Sequence, residues 1–424
     1  MRYCSGCSLL DCFFDADLYY SRMRYDTIIL GAGPAGLTAA GYAARPNGYQ
    51  SGRVLVLDKA PRPGTKLLLA GGGKGNLTNR NVAVSDYVGE KPDFAAPALT
   101  RVTPETILTA LRKTDIPLEE REHGRMFCTT SARVVLDRLL ARLARTAVAV
   151  RTGTAVTSIR HAGGIFTVSC NGASFTAPRC ILATGGPAWP QCGADDSGLH
   201  LARELGHRIV PPRPVLVPFV MPEGWPLAGL AGISLPARIA CDTPGAPAFT
   251  DSLLFTHKGV SGPAALQISC WWKKGTALTI DFLPGENAGT LLDSATGKAT
   301  PASVLGRLLP ERLLAALLDG AVSRRRVAEL SRKQRDAVAD ALHRHRVIPS
   351  RTEGLAKAEA AAGGVDVAGV DPATMQSRLV PGLFFCGEVL DITGRLGGYN
   401  LHWAWASGTV AGEAAAGKRE GASL

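Results

Sequence analysis

Short apolar runs alternate with glycine-rich turns at the start of the chain. Residues 25–30 form an apolar run, residues 31–36 a glycine-rich turn, and residues 37–44 a stretch of small apolar side chains. A second apolar run follows at 53–57. This order predicts a strand, a tight turn, a helix and another strand, which together make a βαβ unit.

The same pattern returns later in the sequence. Apolar residues at helical spacing predict an amphipathic helix over 132–144, and residues 147–160 with 164–170 predict paired strands. Residues 180–183 predict a strand that ends at a Thr-Gly-Gly turn, and residues 382–388 repeat the strand-then-glycine order. The return of this order predicts one α/β domain that is interrupted by an insertion.

The sequence between these parts has a different texture from about Pro211 onward. Short apolar segments broken by Pro and Gly predict strands of a small barrel or sandwich, at 215–220, 237–241, 252–256 and 277–282. Helical patterns then follow at 302–309, 311–318, 326–330 and 335–345.

We therefore expect four segments along the chain. Residues 1–23 are an N-terminal extension, expected to be disordered, with Met23 as the expected native start. The interrupted domain occupies 24–192 and 350–424, and the insert 193–349 holds a barrel at about 208–285 and a helical part at about 286–347.

Composition is that of an ordinary soluble enzyme, and the scatter of the cysteines favours reduced thiols in the cytoplasm. The 424 residues are 46% hydrophobic and 20% charged, and a chain of this length exceeds what one hydrophobic core supports. No apolar run is long enough to span a membrane, and residues 1–22 lack the features of a secretory signal. The ten cysteines are scattered, and Cys4, Cys7 and Cys12 lack a fourth ligand, so no metal site is predicted.

The net charge of +11 permits an anionic ligand or nucleic acid. The basic residues are spread along the chain, however, and the densest run, at 324–335, falls in a helical pattern. A solvated basic helix face is the simpler interpretation of that run. We expect a small-molecule substrate, with neither membrane nor nucleic acid as a partner.

The first glycine-rich turn predicts a dinucleotide site. Gly31, Gly33 and Gly36 satisfy G-x-G-x-x-G between a strand and a helix, and Asp58 ends the second strand. The glycines permit the turn, the approach of a pyrophosphate and close helix packing, while the acid can accept hydrogen bonds from a ribose. The dinucleotide is NAD or FAD on this motif alone.

The C-terminal part favours FAD. Residues 387–391, "GEVLD", follow an apolar strand, and residues 397–401, "GGYNL", open a helix. Glu388 or Asp391 can accept hydrogen bonds from ribityl hydroxyls, and amides at the helix start can stabilise charge on a reduced flavin. An interaction with a helix N-terminus is the alternative role for these carboxylates.

A second glycine-rich segment, "GGGKGNLTN" at 71–79, is not an NTPase phosphate loop. Gly75, rather than Ser or Thr, follows Lys74, and the spacing between the glycines is also wrong for that motif. We interpret the segment as a second place where the backbone approaches a large phosphate-bearing ligand.

Five ordered motifs resemble one family. "LLLAGGGKGNLTN", "ILATGG", "FTHKGVSGPAALQIS", "AEAAAGGV" and "LFFCGEVLDITGRLGGYNLHWAWASG" are similar to motifs of the bacterial flavoproteins that include BaiN-type bile-acid reductases and proteins labelled aminoacetone oxidase. The resemblance covers about residues 24–415. It implies an α/β fold in which a Rossmann-like FAD-binding domain is interrupted by an inserted β-barrel plus helical domain, with noncovalent FAD.

The motifs and the resemblance together give the expected cofactor-binding residues. They are Gly31, Gly33, Pro34, Ala35, Gly36, Asp58, Lys59, Lys66, Gly72, Gly73, Lys74, Asn76, Thr184, Gly185, Gly186, Gly387, Glu388, Asp391, Gly397, Gly398, Tyr399, Asn400 and Leu401.

Two residues are catalytic candidates. His257 can donate a proton near neutral pH, although hydrogen bonding within its turn is the simpler role, and Asn400 opens the last helix. Family members usually carry cysteine where this chain has Gly75, so the resemblance leaves a thiol-dependent step in question. Trp403 and Trp405 are expected to pack in the core.

The predicted activity is hydride transfer between bound FAD and a small organic substrate. One direction is an NAD(P)H-dependent reduction of an activated C=C bond, with the nicotinamide as a transient donor. A flavin-dependent amine oxidase and a tRNA-modifying flavoprotein are the alternatives.

Overall fold

The computed structural model describes residues 24–44 and 52–417. The predictions made for residues 1–23, including Met23 and the three N-terminal cysteines, lie outside this range. In the described part, no helix combines the length and the apolar character needed to cross a membrane.

Strands within the described residues are numbered in chain order. They are β1 (Thr27–Leu30), β2 (Val54–Leu57), β3 (Asn76–Asn79), β4 (Tyr87–Val88), β5 (Leu118–Arg121), β6 (Arg125–Cys128), β7 (Val148–Arg151), β8 (Val156–Ala162), β9 (Ile165–Cys170), β10 (Ala173–Ala177), β11 (Arg179–Leu182), β12 (Ile209–Val215), β13 (Phe219–Val220), β14 (Ser234–Cys241), β15 (Phe249–Phe255), β16 (Gly259–Ser261), β17 (Leu278–Asp281), β18 (His345–Val347), β19 (Arg351–Thr352), β20 (Ala360–Val365), β21 (Leu383–Phe385) and β22 (Thr393–Gly394).

The α-helices of the same residues are numbered likewise. They are α1 (Pro34–Ala43), α2 (Thr65–Leu69), α3 (Ala96–Arg101), α4 (Pro104–Arg112), α5 (Ala132–Leu143), α6 (Ser197–Glu204), α7 (Gly262–Ile268), α8 (Ala288–Asp293), α9 (Pro301–Leu305), α10 (Glu311–Leu317), α11 (Gly320–Arg324), α12 (Arg332–His343) and α13 (Tyr399–Ala416).

The chain divides into two compact units. Unit 1 comprises the described residues up to 212 and from 362 onward, and unit 2 comprises residues 213–361. This division differs from the insert bounds of 193–349 because α6 buries Leu199, Leu201 and Ala202 in the core of unit 1.

Unit 1 is built on a parallel five-stranded sheet in the order β21-β11-β1-β2-β7. Strands β1 and β2 are buried along their whole length, as expected for a parallel sheet that is covered on both faces. The predicted strand over 147–160 is in fact two strands: β7 joins this sheet, while β8 pairs with β9 in a separate antiparallel sheet. The α/β expectation is confirmed for this unit.

Helices α1 and α13 pack closely in unit 1 because glycine and alanine line their contact. A Cβ on Gly408 would lie 2.5 Å from the Ala35 carbonyl oxygen, and one on Gly412 would lie 2.4 Å from that of Ala39. Larger side chains at these glycines would push the helices apart. The contact brings the C-terminal helix against the first βαβ unit.

Unit 2 holds a seven-stranded sheet in the order β18-β17-β14-β15-β16-β13-β19. Its edge strands do not pair with each other in the described residues, so the expected closed barrel is not found. The two edge strands are short, since β18 contains three residues and β19 contains two. Helix α7 packs on β14 and β15.

The helical part of unit 2 contains α8 to α12, and its buried apolar side chains share one hydrophobic core with those of the sheet. The predicted helix over 326–330 is a three-residue 3₁₀ turn, Val327–Glu329. Helix α12 begins earlier than expected because Ser331 and Gln334 form a capping box at its start.

Candidate functional site

Four strands of the parallel sheet end at a common edge. The first glycine-rich turn follows β1, Asp58 follows β2, Thr184 follows β11, and Gly387 comes shortly after β21. The carboxyl ends of parallel strands share one edge, where ligands of open α/β sheets bind. The fold therefore gathers four of the predicted cofactor-binding segments.

Two glycines of the first turn are required by the protein itself. Gly31 has φ +107°, and a Cβ there would lie 2.3 Å from the Ala183 carbonyl oxygen. A Cβ on Gly36 would lie 1.9 Å from the Gly31 carbonyl oxygen. Gly33 differs, since it has φ −77° and a Cβ there would meet no atom within 4 Å. The space beside Gly33 is open for a ligand.

Helix α1 begins directly after Gly33 and lacks a side-chain cap. Pro34 occupies its first position, and the amides of the first turn have no partner within the helix. These amides and the helix dipole favour an anion at this end. The start of α1 therefore suits a pyrophosphate.

Asp58 connects the end of β2 to the glycine turn. Its Oδ2 accepts a hydrogen bond from the Ala32 amide at 2.6 Å, and its Oδ1 accepts one from the Ala60 amide at 2.7 Å. A carboxylate has about four lone-pair positions, so it can still accept from ribose hydroxyls. The neighbouring Lys59 forms an ion pair with Asp195 at 2.5 Å.

Lys66 and Glu388, both expected at the cofactor, contact each other. The Lys66 Nζ lies 2.6 Å from the Glu388 Oε2, and the side chains are 32% and 18% exposed. Helix α2 follows the β2 end, while Glu388 follows β21, so the ion pair connects two segments at the sheet edge. A Cβ on Gly186 would lie 3.3 Å from the Glu388 Cγ, which places the β11 end beside them.

The other residues after β11 differ in their surroundings. The Thr184 hydroxyl is buried and finds no hydrogen-bond partner in the described part of the chain. A Cβ on Gly198 would lie 1.8 Å from this hydroxyl oxygen, so α6 packs directly on Thr184. Gly185 has φ +76°, and a Cβ there would meet no protein atom within 4 Å.

The second glycine-rich segment is a left-handed turn between α2 and β3. Gly71, Gly72, Gly73 and Gly75 have φ values of +58°, +66°, +85° and +71°. L-residues disfavour this conformation, which explains the run of glycines. Gly72 faces open space, and Lys74 is partly buried.

Gly75 is more restricted than its neighbour Gly72. A Cβ on Gly75 would lie 3.1 Å from the Leu77 Cδ2 and 3.3 Å from the Ala132 Cβ. With its positive φ, the position accepts a cysteine only with strain, on the order of 1–2 kcal/mol.

Strand β3 meets the C-terminal glycine pair. With its amide oriented to satisfy both neighbours, the Asn76 Oδ1 accepts from the Gly398 amide at 3.0 Å. The Asn79 Nδ2 donates to the Gly397 carbonyl at 3.0 Å. A Cβ on Gly398 would lie 2.4 Å from the Thr78 carbonyl oxygen. Both glycine-rich segments therefore belong to the same region of unit 1.

The start of α13 is held by hydrogen bonds. The Asn400 side chain accepts from the Gly394 amide and donates to the Gly394 carbonyl, each at 2.8 Å. The Asn400 side-chain amide therefore holds the backbone at Gly394, and its expected catalytic role stays a prediction. Tyr399 is 1% exposed, and Leu401 is partly buried.

The two tryptophans of α13 are buried in the core. The Trp403 Nε1 donates to the Gly387 carbonyl at 3.1 Å, and the Trp405 Nε1 donates to the Leu77 carbonyl at 2.9 Å. Ser407 accepts from the Gly387 amide at 2.9 Å. The backbone amide and carbonyl of Gly387 are therefore both hydrogen-bonded to side chains of α13.

Asp391 lies in the interior rather than at an open surface. It is 2% exposed, and its carboxylate accepts from the Gly363 amide at 3.0 Å and the Glu90 amide at 2.8 Å. Burial raises the pKa of Asp391, although the two amide donors lower it in part. We assign it the structural role of joining these backbone segments.

His257 belongs to unit 2. It is exposed and lies between β15 and β16. Its catalytic role remains a prediction.

Arg395 was missed by the sequence reasoning. Its Nε donates to the Asp86 Oδ1 at 2.7 Å, and another guanidinium nitrogen donates to the Tyr399 hydroxyl at 2.7 Å. Burial raises the pKa of Tyr399 to about 12, which keeps its hydroxyl protonated. Arg395 stands within the motif "TGRLGGYN", but its partner Asp86 is 309 residues away in sequence and has no motif of its own.

The combined geometry fits a dinucleotide whose two halves are joined by a pyrophosphate. An uncapped helix start, the open space beside Gly33 and the Asp58 carboxylate stand at one sheet edge, and the glycine segments around Gly72 and Gly398 extend the region. Among the described residues, no group of three or more His, Cys, Asp or Glu side chains is placed to hold a metal ion.

Comparisons with known proteins agree with this geometry. The family model described as HI0933-like protein Rossmann domain matches residues 25–414. The chain is 36% identical over 390 residues to a protein of Escherichia coli K12 named ribosomal RNA dihydrouridine synthase, covering 91% of this chain and 96% of that protein. A Haemophilus influenzae protein of the same name is 35% identical, with coverage of 90% and 96%.

A relative with a different name is almost as similar. The 3-dehydro-bile acid delta(4,6)-reductase of Clostridium scindens is 33% identical over 405 residues, covering 92% of this chain and 98% of that protein.

Proposed function

The chain belongs to the HI0933-like Rossmann family of flavin-dependent oxidoreductases, and we propose that it reduces a C=C bond conjugated to a carbonyl, with uridine in ribosomal RNA as its substrate. Membership confirms the resemblance drawn from the sequence motifs. The observation that carries the proposal is similarity over nearly the full length of two proteins named ribosomal RNA dihydrouridine synthase.

The relatives' names describe one kind of chemistry on two substrates. In uridine, the C5=C6 double bond is conjugated to the C4 carbonyl of uracil. Dihydrouridine is the product in which this double bond has been reduced. The bile-acid reductase is named for a 3-keto substrate with double bonds at positions 4 and 6. In either case hydride adds to the carbon remote from the carbonyl, and a proton adds to the adjacent carbon.

Charge favours the RNA substrate for this chain. The net charge of +11 attracts a polyanion, whereas a largely apolar steroid gains nothing from a basic surface. This proposal departs from our expectation from sequence that nucleic acid is not a partner. It retains the predicted reduction of an activated C=C bond.

The residues of unit 1 bind and orient the cofactor in this proposal. Bound FAD supplies the hydride chemistry. The start of α1 and the space at Gly33 receive the pyrophosphate, and Asp58 accepts from the adenosine ribose. Lys66 and Glu388 form an ion pair at the same sheet edge and would offer polar groups to the bound cofactor. NAD(P)H is the proposed electron donor.

The steroid-like enone is the second candidate substrate, because the third relative is named for reduction of such a substrate. The similarity to this relative covers 98% of its length. The amine oxidase alternative has no support from the names of these relatives. It remains testable through hydrogen peroxide release.

The experiment offers both substrates to the same enzyme. Holoprotein is reduced anaerobically with NADH or NADPH and incubated with unmodified transcripts of small- and large-subunit ribosomal RNA, or with a 4-en-3-one steroid. Nucleoside mass spectrometry then measures conversion of uridine to dihydrouridine. We expect dihydrouridine at defined positions, and none with a Gly33→Val variant that lacks FAD.

Two outcomes would overturn the RNA proposal. The first is steroid reduction without any dihydrouridine in the transcripts. The second is amine-dependent peroxide release by a holoprotein that reduces neither substrate.

A further inference from the structure

Five basic side chains surround one turn of unit 2. Arg324 ends α11, Arg325 and Arg326 follow it, and Arg332 and Lys333 are the first two residues of α12. All five are exposed. We call this set the basic turn.

Two buried residues fix the backbone of the basic turn. Val327 is 3% exposed and Leu330 is 4% exposed, so the two large apolar side chains of the turn are buried in unit 2. The Val327 amide also donates to the Ala299 carbonyl at 2.9 Å. With the apolar residues anchored inside, the basic side chains are held on the outside of a defined turn.

The protein itself neutralises little of this charge. Within the described residues, Arg326 alone of the five has an acidic side chain within ion-pair distance, and its contact with Glu329 is 3.8 Å long. Farther along α12, by contrast, Arg335 pairs with Asp293 at 2.8 Å and Arg344 pairs with Asp340.

The position of Arg332 and Lys333 also opposes the helix dipole. The first turn of α12 contains no acidic residue, and two cations stand at its positive end. Cations at that end are destabilising, and like charges at neighbouring positions repel. An external polyanion would relieve both effects.

We propose that the basic turn binds the sugar–phosphate backbone of the RNA substrate. This inference rests on the proposed function and adds to it a docking surface in unit 2. An anionic membrane is the less suitable occupant, because segments that bind membrane surfaces also insert large apolar side chains, and Val327 and Leu330 are buried. Phosphate contacts of this kind position an RNA without reading its bases.

The test compares two triple variants with equal net charge. The first is Arg325→Glu, Arg332→Glu and Lys333→Glu in the basic turn. The matched control is Arg138→Glu, Lys273→Glu and Lys274→Glu, which reverses three exposed basic residues elsewhere. Each holoprotein is titrated with fluorescent ribosomal RNA fragments over a range of salt concentrations, and its flavin absorbance serves as the check on folding.

We expect the basic-turn variant to bind RNA at least about tenfold more weakly at low salt. Its slope of log affinity against log salt should fall by about 2, since each lost phosphate contact removes roughly 0.7–0.9. The control variant should keep most of the affinity and slope, and both should keep wild-type flavin content.

Failure of this inference can be distinguished from failure of the proposed function. If the wild type forms dihydrouridine but both triple variants lose affinity equally, or neither does, the docking surface is wrong while the activity stands. If the wild type shows no salt-dependent RNA binding but binds phosphatidylserine vesicles through the basic turn, the RNA assignment of this surface is overturned. A wild type that neither binds nor modifies RNA overturns both proposals.

Discussion

Adding a side chain at Gly33 should separate cofactor binding from folding. A Cβ at this position meets no protein atom within 4 Å, and φ is −77°, so Gly33→Ala introduces neither clash nor strain into the apoprotein. The changes in helix capping and in chain entropy are opposite in sign and leave apoprotein stability within about 1 kcal/mol.

The cost should instead appear in FAD binding. A methyl group beside the helix start displaces the pyrophosphate from the first-turn amides, and charge-assisted hydrogen bonds contribute about 1.5–3 kcal/mol each. Loss of one or two of them is worth about 3 kcal/mol, or roughly 100-fold in Kd. Gly33→Val, with a larger side chain, should abolish retention of FAD through purification.

Gly36→Ala is the matched control because it adds the same atom three residues away. Its Cβ would lie 1.9 Å from the Gly31 carbonyl oxygen, so the apoprotein itself must shift, at a cost of about 1–3 kcal/mol. Calorimetric titration with FAD gives Kd, and urea unfolding of each apoprotein gives stability. Unchanged FAD affinity in Gly33→Ala, or destabilisation of its apoprotein like that of Gly36→Ala, would refute the placement of the pyrophosphate.

Three further predictions concern other parts of unit 1. Lys66→Met should lower the free energy of unfolding by about 1–2 kcal/mol because it breaks the partly buried ion pair between Lys66 and Glu388. Arg133→Met breaks an exposed ion pair with Asp137 and should change the free energy of unfolding by less than about 0.5 kcal/mol. Equal effects of the two substitutions in urea unfolding would contradict this reasoning. Burial lowers the pKa of His402 to about 4 from about 6.5 in the unfolded chain, so its contribution to stability is complete above pH 6.5 and is lost as pH falls toward 4. Between pH 6.5 and pH 4, the free energy of unfolding of the wild type should therefore fall by about 3 kcal/mol more than that of His402→Gln. Parallel curves of unfolding free energy against pH for the two proteins would exclude this contribution of His402. Because Gly75 supplies no thiol in this turn, flavin reduction and reoxidation should survive thiol alkylation, and Gly75→Cys should fold with a loss of about 1–2 kcal/mol. Inhibition by alkylation with FAD still bound would show that a cysteine is needed.

Local patterns predicted the elements of unit 1 well where their signal was strong. The predicted strand at 53–57 and the helix at 132–144 correspond to β2 and α5 within one residue at each end. The predicted pairing of 147–160 with 164–170 is confirmed for β8, which pairs with β9. It is wrong for β7, which joins the parallel sheet, because periodicity gives no information on which strands become partners. The barrel failed for a related reason, since closure depends on pairing between edge strands that are distant in sequence.

The glycine positions of the candidate site could be predicted from the sequence. Gly31 and Gly36 are required by contacts with neighbouring backbone, and their spacing showed that requirement in advance. Carboxylates and amides were less predictable. Asp391 and Asn400 stand in the same motif as Glu388, but the first two are committed to backbone hydrogen bonds.

The sequence by itself determined the βαβ start, the dinucleotide motif and the membership of a flavoprotein family. These depend on short-range geometry, namely hydrophobic period, positive φ and the order of strand, turn and helix, which neighbouring residues specify. Tertiary structure alone decided that Lys66 pairs with Glu388, 322 residues away, and that Arg395 pairs with Asp86. An ion pair depends on which segments the folded chain brings within a few ångströms, and that proximity arises from sheet order and helix packing rather than from any local pattern.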